Sequence, residues 1–554
     1  MFFRVKSAGS YQYLQIAESY RCEGKVRQRI LSTLGRLDVL QESGRLESLL
    51  RSGLRLCDNI AVLDAHAAGK AKPVQILRIG PDLVFGRLWR ESGIQSILGG
   101  LLSQRSFGFE VERAVYLTVL HRLFSPGSDR AAETWRDSYR IPGTESLELH
   151  HFYRAMAWLG ETLDQESELT GIPRTNKDEI EEQLFDHRRD LFSEVDLVFF
   201  DTTSIYFEGQ GGQSLGQYGF SKDHRPDLRQ MVVGLALDVH GWPICSLLWP
   251  GNSTDAKALL PVVQRFQKRF RVKRVSVVAD RGMISQELIA ALESEAIGCQ
   301  YILGVRMRSS AVVRDQLLKD SSPWIELEPE RTYSTDPSPL QVKEVKVAGQ
   351  RYVLCLNEEQ KRKDAADRDA IVAALRDTLR KGTDKSLIGN KGYRKYVRTP
   401  AEKAFEIDEE KIKAEAKYDG LWALKTNMDM ETELVARTYK RLWTVEDLFR
   451  TMKSVLATRP IYHKRDETIR GHVFCSFLAL RLRRELEGRL EQSGKAWEWA
   501  EVIRGLDNLS EVTLAFQGKK FLMRSELTGH ATQAVRAAGV ALPPPMREAP
   551  PNEK

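Results

Sequence analysis

Three carboxylates in this chain are placed where acids could act together on a phosphodiester. "VFFD" (198–201) and "VVAD" (277–280) are short apolar runs that each stop on an aspartate, Asp201 and Asp280. The third acid, Glu446, lies in the 3.6-periodic run "METELVARTYKRLWTVEDLFRTMKSVL". Separated acids on rigid elements suit two divalent ions about 3.5–4 Å apart, which activate a nucleophile and stabilise the leaving oxygen. Mg2+ takes hard oxygen ligands and keeps waters to exchange for substrate phosphates. Two Mg2+ per site, with Mn2+ able to substitute, is the expected cofactor. Taken alone, Asp201 reads first as a turn cap, because Asp, Thr and Ser bond nearby backbone. The case for chemistry rests on the three acids together.

The last acid is read by helix geometry. Tyr439, Glu446 and Lys453 are seven apart, which brings each back to within about 20° of one line. Leu442, Val445, Phe449, Met452 and Leu456 form an apolar stripe beside that row. One long helix is therefore expected to pack on a core with its polar row along the cleft or in solvent. In the cleft, Tyr439 and Lys453 could contact phosphates flanking the scissile bond. Trp443 reads first as a core residue on the stripe, and second as a ring for stacking on an extruded base.

The elements that must hold these acids are short strands and helices. "LVFFDTT" reads as a buried strand, and "RQMVVGLALDVHGWPICSLLWPG" as two strands joined at His240–Gly241. "DAKALLPVVQRFQKRF" and "SQELIAALESEAI" read as helices, "RVSVVADRG" and "CQYILGV" as strands. Three consecutive strands followed by alternating helices and strands imply a mixed α/β sheet. Upstream, residues 1–72 read as a small β/α module with a hairpin turning at "CEGK". Residues 73–190 read as a helical domain of a size suited to DNA binding. The core would occupy 191–307 and 416–490, interrupted by a polar, charged segment at 308–415. Residues 491–554 would form a C-terminal module and a Pro-rich disordered tail.

Composition bounds the function. The chain has 554 residues, 42% hydrophobic and 29% charged, an ordinary globular balance. No window holds 18 uninterrupted apolar residues, so no membrane span is expected. The six cysteines form no CxxC pair, so neither a disulfide framework nor a zinc ribbon is expected, and a reducing cytoplasm fits. The net charge is +7. Residues 1–60 hold ten Lys/Arg against six Asp/Glu. "RFQKRFRVKR" (265–274) has six basic residues and no acid. It reads either as a helix C-terminus, where cations suit the dipole, or as a DNA-facing stripe. "GFSKDHRPDLRQ" (219–230) offers Lys222, Arg225 and Arg229, either to DNA phosphates near Asp201 or to solvent. "GQGGQS" (209–214) lacks the Gly-Lys-Ser/Thr end of a nucleotide loop. His150, His151 and His472 read as packing or surface residues.

With these residues in place, the sequence resembles the DDE transposases of bacterial insertion sequences, in the branch with a Tyr-Arg-Glu-Lys signature on the last catalytic helix. "VFFDTTS" matches the first-Asp motif, "VVADRGM" the second and "YKRLWTVEDLFRTMK" the signature. "GFSKDHRPDLRQ", "GNSTDAKAL", "RPIYHKRDETIRGHVFCSFLAL" and "SPGSDRAAETW" also resemble the family. The resemblance implies an RNase H-like core with Asp201, Asp280 and Glu446 as catalytic metal ligands. It further implies a β-rich insertion before the last helix, which 308–415 resembles. It implies binding of double-stranded transposon ends and target DNA, a homodimer or higher assembly on paired ends, and a cytoplasmic, nucleoid-associated protein. Leu442 stands where the signature has Arg; Arg441 is the adjacent substitute, or the role is lost. Two alternatives stay open: a non-catalytic DNA-binding repressor derived from a transposase, and an RNase H-like nuclease without strand transfer.

Overall fold

Alternation in the first 36 residues produces strands. In the computed structural model β1 (Phe2–Ala8), β2 (Tyr11–Cys22) and β3 (Lys25–Arg36) form an antiparallel sheet in that order. The structure describes all residues except 23–24, 55–68, 70–71, 164–172, 189–196, 255–257, 273–274, 328–339, 382–390, 399–404, 517 and 551–554. The expected "CEGK" turn lies partly outside them. The chain divides into two compact units. One comprises Met1–Pro81, Asp137–Arg140 and Trp497–Lys554; the other comprises Asp82–Arg136 and Ile141–Ala496.

The first unit has a second sheet. β4 (Lys72–Arg78), which the sequence places at the start of the helical domain, pairs antiparallel with β16 (Ser510–Phe516). The sheet continues through β17 (Lys519–Arg524) to β18 (Met546–Glu548). Part of the Pro-rich tail is thus a strand and not disordered. Proline is tolerated on a sheet edge and at strand starts, and β18 is an edge strand preceded by three prolines.

In the second unit the core sheet follows from the apolar runs. β5 (Leu197–Tyr206), β6 (Gln230–Leu237) and β7 (Pro243–Pro250) are antiparallel. β8 (Ser276–Ala279) and β9 (Gln300–Gly304) run parallel to β5. The resulting order β7-β6-β5-β8-β9 is the RNase H-like arrangement. In the region read as an insertion, β10 (Ile325–Leu327), β11 (Leu340–Val347) and β12 (Gln350–Asn357) precede the helix Glu358–Arg380. β13 (Val397–Arg398) pairs with β14 (Glu406–Ile407). β15 (Leu421–Thr426) joins β12 to β9, so β10–β12 extend the core sheet to nine strands.

Both faces of this sheet are covered. One buries Phe200, Val277, Ala279 and Leu303 against the helices Leu259–Lys268 and Gln286–Glu293. The other carries the segment with Glu446. That segment is not the single helix expected. It comprises Thr432–Lys440, Trp443–Arg450 and a π turn at Thr451–Val455. Short bonds from Leu442 N to Tyr439 O (3.0 Å) and Val445 N to Leu442 O (2.9 Å) make the break. The first piece crosses β11, β12, β8 and β9, and the second lies over β5 and β6. The sheet twists between those strands, and a straight rod would leave one of the two contacts open.

The long helix Asp466–Gln492 packs against Val111–Phe124 and Leu149–Leu159. Gly471 permits the close crossing, since a Cβ there would lie 1.9 Å from Met156 O. Cys245, Cys299, Cys355 and Cys475 are free and buried. Among the described residues no helix is long and apolar enough to cross a membrane.

Candidate active site

The register of β5 on β8 brings the two aspartates together. Phe200 stands abreast of Ala279. One residue further along each strand come Asp201 and Asp280. β8 ends there, whereas β5 continues to Tyr206 on its β6 partner, so Asp201 is mid-strand and not at a strand end. Phe200 and Ala279 point into the core under the two helices. Side-chain alternation therefore turns Asp201 and Asp280 to the opposite face, where Trp443–Arg450 lies. Glu446 is exposed on the first turn of that helix, where the dipole favours an acid. Asp280, Glu446, Arg281, Tyr439 and Trp443 line an open cleft of about 440 Å3.

The electrostatics of the cleft call for a cation. Burial pushes the Asp201 carboxyl up to about 7. Lys222 and the Thr202 N–H oppose that rise, and Asp280 and Glu446 add to it. A carboxylate short of positive charge among other acids is suited to hard divalent ions. The three acids stand wider apart than a single ion's cage: their ligand atoms do not gather within 4.8 Å of one another, as those of Asp129, His463 and His472 do.

Tyr439 is an oriented partner of the site. Its hydroxyl donates to Asp280 Oδ1 at 3.1 Å. Burial and then Asp280 raise its pKa, so it stays a donor. It reaches Asp280 by passing over the end of β9 at Gly304. A Cβ there would sit 2.4 Å from the tyrosine oxygen and 2.9 Å from Arg281 N. Partners that orient metal ligands typically contribute 10- to 100-fold. Tyr439→Phe and Gly304→Ala are therefore each expected to slow strand cutting by about that factor. Single-turnover rates on a labelled DNA end check this, and unchanged rates in both would remove Tyr439 from the site.

The basic candidates divide. Lys222 Nζ donates to Thr202 O (2.7 Å) and Thr202 Oγ1 (3.0 Å), beside Asp201. Lys453 does not face the cleft: it is buried on Asp223 Oδ1 at 2.8 Å, which Arg459 also reaches at 2.6 Å. Lys222 ties the 219–230 loop to β5, and the two ion pairs tie it to the segment that follows the Glu446 helix. Arg225 is exposed, paired with Asp227 at 2.8 Å. Arg229 donates to Gly216 O (3.3 Å) and lies 5.7 Å from the Tyr218 ring. Arg441 bonds Val239 O and covers the Phe199 ring at 5.7 Å, while Leu442 is buried. Trp443, read first as core, is 62% exposed. It lies at the helix break, off the stripe, whose residues Leu442, Val445, Phe449, Met452 and Leu456 are all buried.

Sequence reading passed over Arg281, which lines the cleft directly after Asp280. Arg306 braces that turn through Arg281 O (3.3 Å) and Gly282 O (3.0 Å). The signal for Arg281 was its adjacency to Asp280 in "VVADRG". It also passed over the Asp129–His463–His472 cluster. His463 Nε2 lies 3.1 Å from His472 Nδ1 and 3.5 Å from Asp129 Oδ2. Arg122 reaches the same His472 Nδ1 at 2.9 Å. A guanidinium on that nitrogen occupies the lone pair an ion would need, so the group is a buried polar brace between the helices.

Comparison with known proteins followed the same lines. The family described as "Transposase DDE domain" matches residues 194–482, more than half of the chain. The family "IS1634 family transposase, N-terminal domain" matches residues 3–65. No curated protein matches. A piggyBac transposase synaptic complex with hairpin DNA is similar at 10% identity and a TM-score of 0.36, over 77% of this chain and 78% of that one. A Mos1 transposase paired-end complex with a left transposon end is similar at 12% identity and a TM-score of 0.15, over 36% and 60%.

Proposed function

The chain belongs to the DDE-domain transposases of insertion sequences, and from that premise we propose that it binds the terminal inverted repeats of its element, cuts there and joins the freed ends to target DNA. The observation that carries this reading is the register that sets Asp201 abreast of Asp280 on the face covered by the Glu446 helix.

Asp201, Asp280 and Glu446 are the residues that would hold two Mg2+ ions, with Mn2+ as substitute. When bound, these ions supply Lewis-acid activation of a water or 3′-hydroxyl and charge stabilisation at the leaving oxygen. The chain's own groups do the rest. Tyr439 fixes the Asp280 carboxylate through its hydroxyl. Lys222 sets a positive charge beside Asp201 and anchors the loop bearing Arg225 and Arg229, which would meet backbone phosphates. Lys453 positions that loop through Asp223. Arg441, held on Val239 O, stands closest to the signature arginine's place; the buried Leu442 cannot supply that charge. Double-stranded ends and target are the partners, with a homodimer or higher assembly pairing the ends, at the nucleoid.

The test is incubation of the purified protein with a labelled DNA end of its element and Mg2+ or Mn2+, followed by a joining assay. End-specific nicking with joining to target is expected. Nicking without joining would assign a nuclease, and binding without nicking a repressor.

A further inference from the structure

The proposed end recognition leaves open which surface reads DNA sequence, and one face of the N-terminal sheet is composed for it. Opposed residues share a face of a sheet, and alternate residues return to it. The rows Arg4–Gln15–Thr33 and Lys6–Tyr13–Arg36 therefore lie side by side across all three strands. Gln15 Nε2 donates to Thr33 Oγ1 at 3.1 Å, along the first row. No Asp or Glu of β1–β3 falls on this face in the paired register. Glu18 lies on the other one, ion-paired with Arg29. On that other face Leu40 of the following helix sits over Gly35, which is abreast of Leu14.

Arg36 is held by Asp38 and stacks 3.7 Å from the Tyr11 ring. Arg4 and Lys6 have no ion-pair partner among the described residues. Gln15, at the centre of the face, is buried beneath its neighbours, and its Oε1 accepts no hydrogen bond among the described residues. Arg4 and Lys6 are exposed; Arg and Lys pair with guanine edges, and the major groove shows a distinct pattern for each base pair. Three strands about 4.8 Å apart span roughly 10 Å. That width matches a major groove of about 12 Å. Two bulges in the β2–β3 pairing strengthen the twist, so the sheet can follow the groove.

We propose that this acid-free face of β1–β3 enters the major groove of the terminal repeats and reads their sequence, with Arg4 and Lys6 as its principal contacts. The assignment rests on the transposase reading above. Its test uses the full-length protein and duplexes taken from the DNA on either side of the reading frame, with scrambled duplexes of equal composition as reference. Fluorescence anisotropy is expected to show Arg4→Ala and Lys6→Ala each weakening the flanking duplex by about tenfold, with a shallower salt dependence. Arg29→Ala, on the opposite face, should bind as wild type does. Guanine N7 methylation within the bound repeat should block binding, and a minor-groove drug should not. Circular dichroism confirms that the variants are folded. If wild type prefers the flanking duplexes and the Arg4→Ala/Lys6→Ala double variant does so equally well, the assignment is overturned alone. Equal loss on Arg29→Ala overturns it too, leaving only bulk charge. If wild type shows no preference for the flanking duplexes, the end-binding reading falls, and this assignment with it.

Discussion

Asp201→Asn is expected to abolish strand cutting and to stabilise the fold. A ligand to a catalytic ion contributes several kcal/mol at the transition state, so the single-turnover rate should fall by about 10³-fold or more. Asp280→Ala and Glu446→Ala should do the same, with binding of the DNA end unchanged. Nicking that survives any one of the three changes would dissolve the triad. The stability effect separates Asp201 from the others. Its carboxyl sits at about 7 in the fold, against about 3.9 in an unfolded chain. Between those values the folded state keeps a proton that the unfolded state has released. Stability therefore falls as pH rises from about 4 to about 7, and the deficit is complete above that window. Asn carries no such charge. At pH 8 without divalent ions the variant should melt above wild type, and near pH 4 the difference should vanish. Mg2+ or Mn2+ should raise the wild-type melting temperature more than the variant's, because ion binding to the folded state favours it. A variant no more stable than wild type at pH 8 would mean that Asp201 is not short of positive charge in the fold.

What the sequence made legible was local or periodic. Apolar runs marked β5, β8 and β9, and the turn at His240–Gly241 marked the β6–β7 pair. Together they imply a mixed sheet. What it hid depends on pairings between distant residues. Nothing in "VFFDTTSIY" says that β6 extends the strand five residues past Asp201 while β8 stops level with Phe200. The break after Tyr439 is equally silent, with no Gly or Pro to mark it. It arises because one end of the segment is tied to Asp280 and the other to β5 and β6. Trp443 is exposed because it stands beside the buried stripe of Leu442, Val445 and Phe449 and not on it. Lys453, reached through a π turn, meets Asp223 from a loop 230 residues earlier. β4 hid for the same reason, its partner β16 lying more than 400 residues away.

The basic run at 265–274 was legible as charge and not as role, and its first residue supports the largest stability prediction. Arg265 is buried, 2.7 Å from Glu181 and 3.0 Å from Asp178. Lys177 Nζ completes the group, 2.8 Å from Asp178 and 3.5 Å from Glu181. Two cations thus balance two carboxylates in the core. Arg269 nearby belongs to the same side, facing Glu182 at 3.9 Å. Neither arginine is free for DNA; Lys273 and Arg274 lie outside the described residues. Burial acts to raise the Asp178 pKa, but Lys177 and Arg265 outweigh it and hold the group well below its ordinary value. Its stabilising contribution is therefore present above about pH 4 and is lost only in stronger acid. Arg265→Met keeps most of the volume and leaves one cation against two buried carboxylates. Removing one partner of such a buried network costs about 3–5 kcal/mol. At about 2–4 °C per kcal/mol for a large domain, the melting temperature should drop by roughly 10 °C at pH 7. The gap should close as pH falls below about 4, where wild type loses the stabilisation of its paired Asp178. A second change, Arg265→Met with Glu181→Gln, removes the surplus charge and should recover part of the loss. If Arg265→Met melts within a degree or two of wild type at neutral pH, Arg265 does not balance these acids in the fold and its charge is available elsewhere.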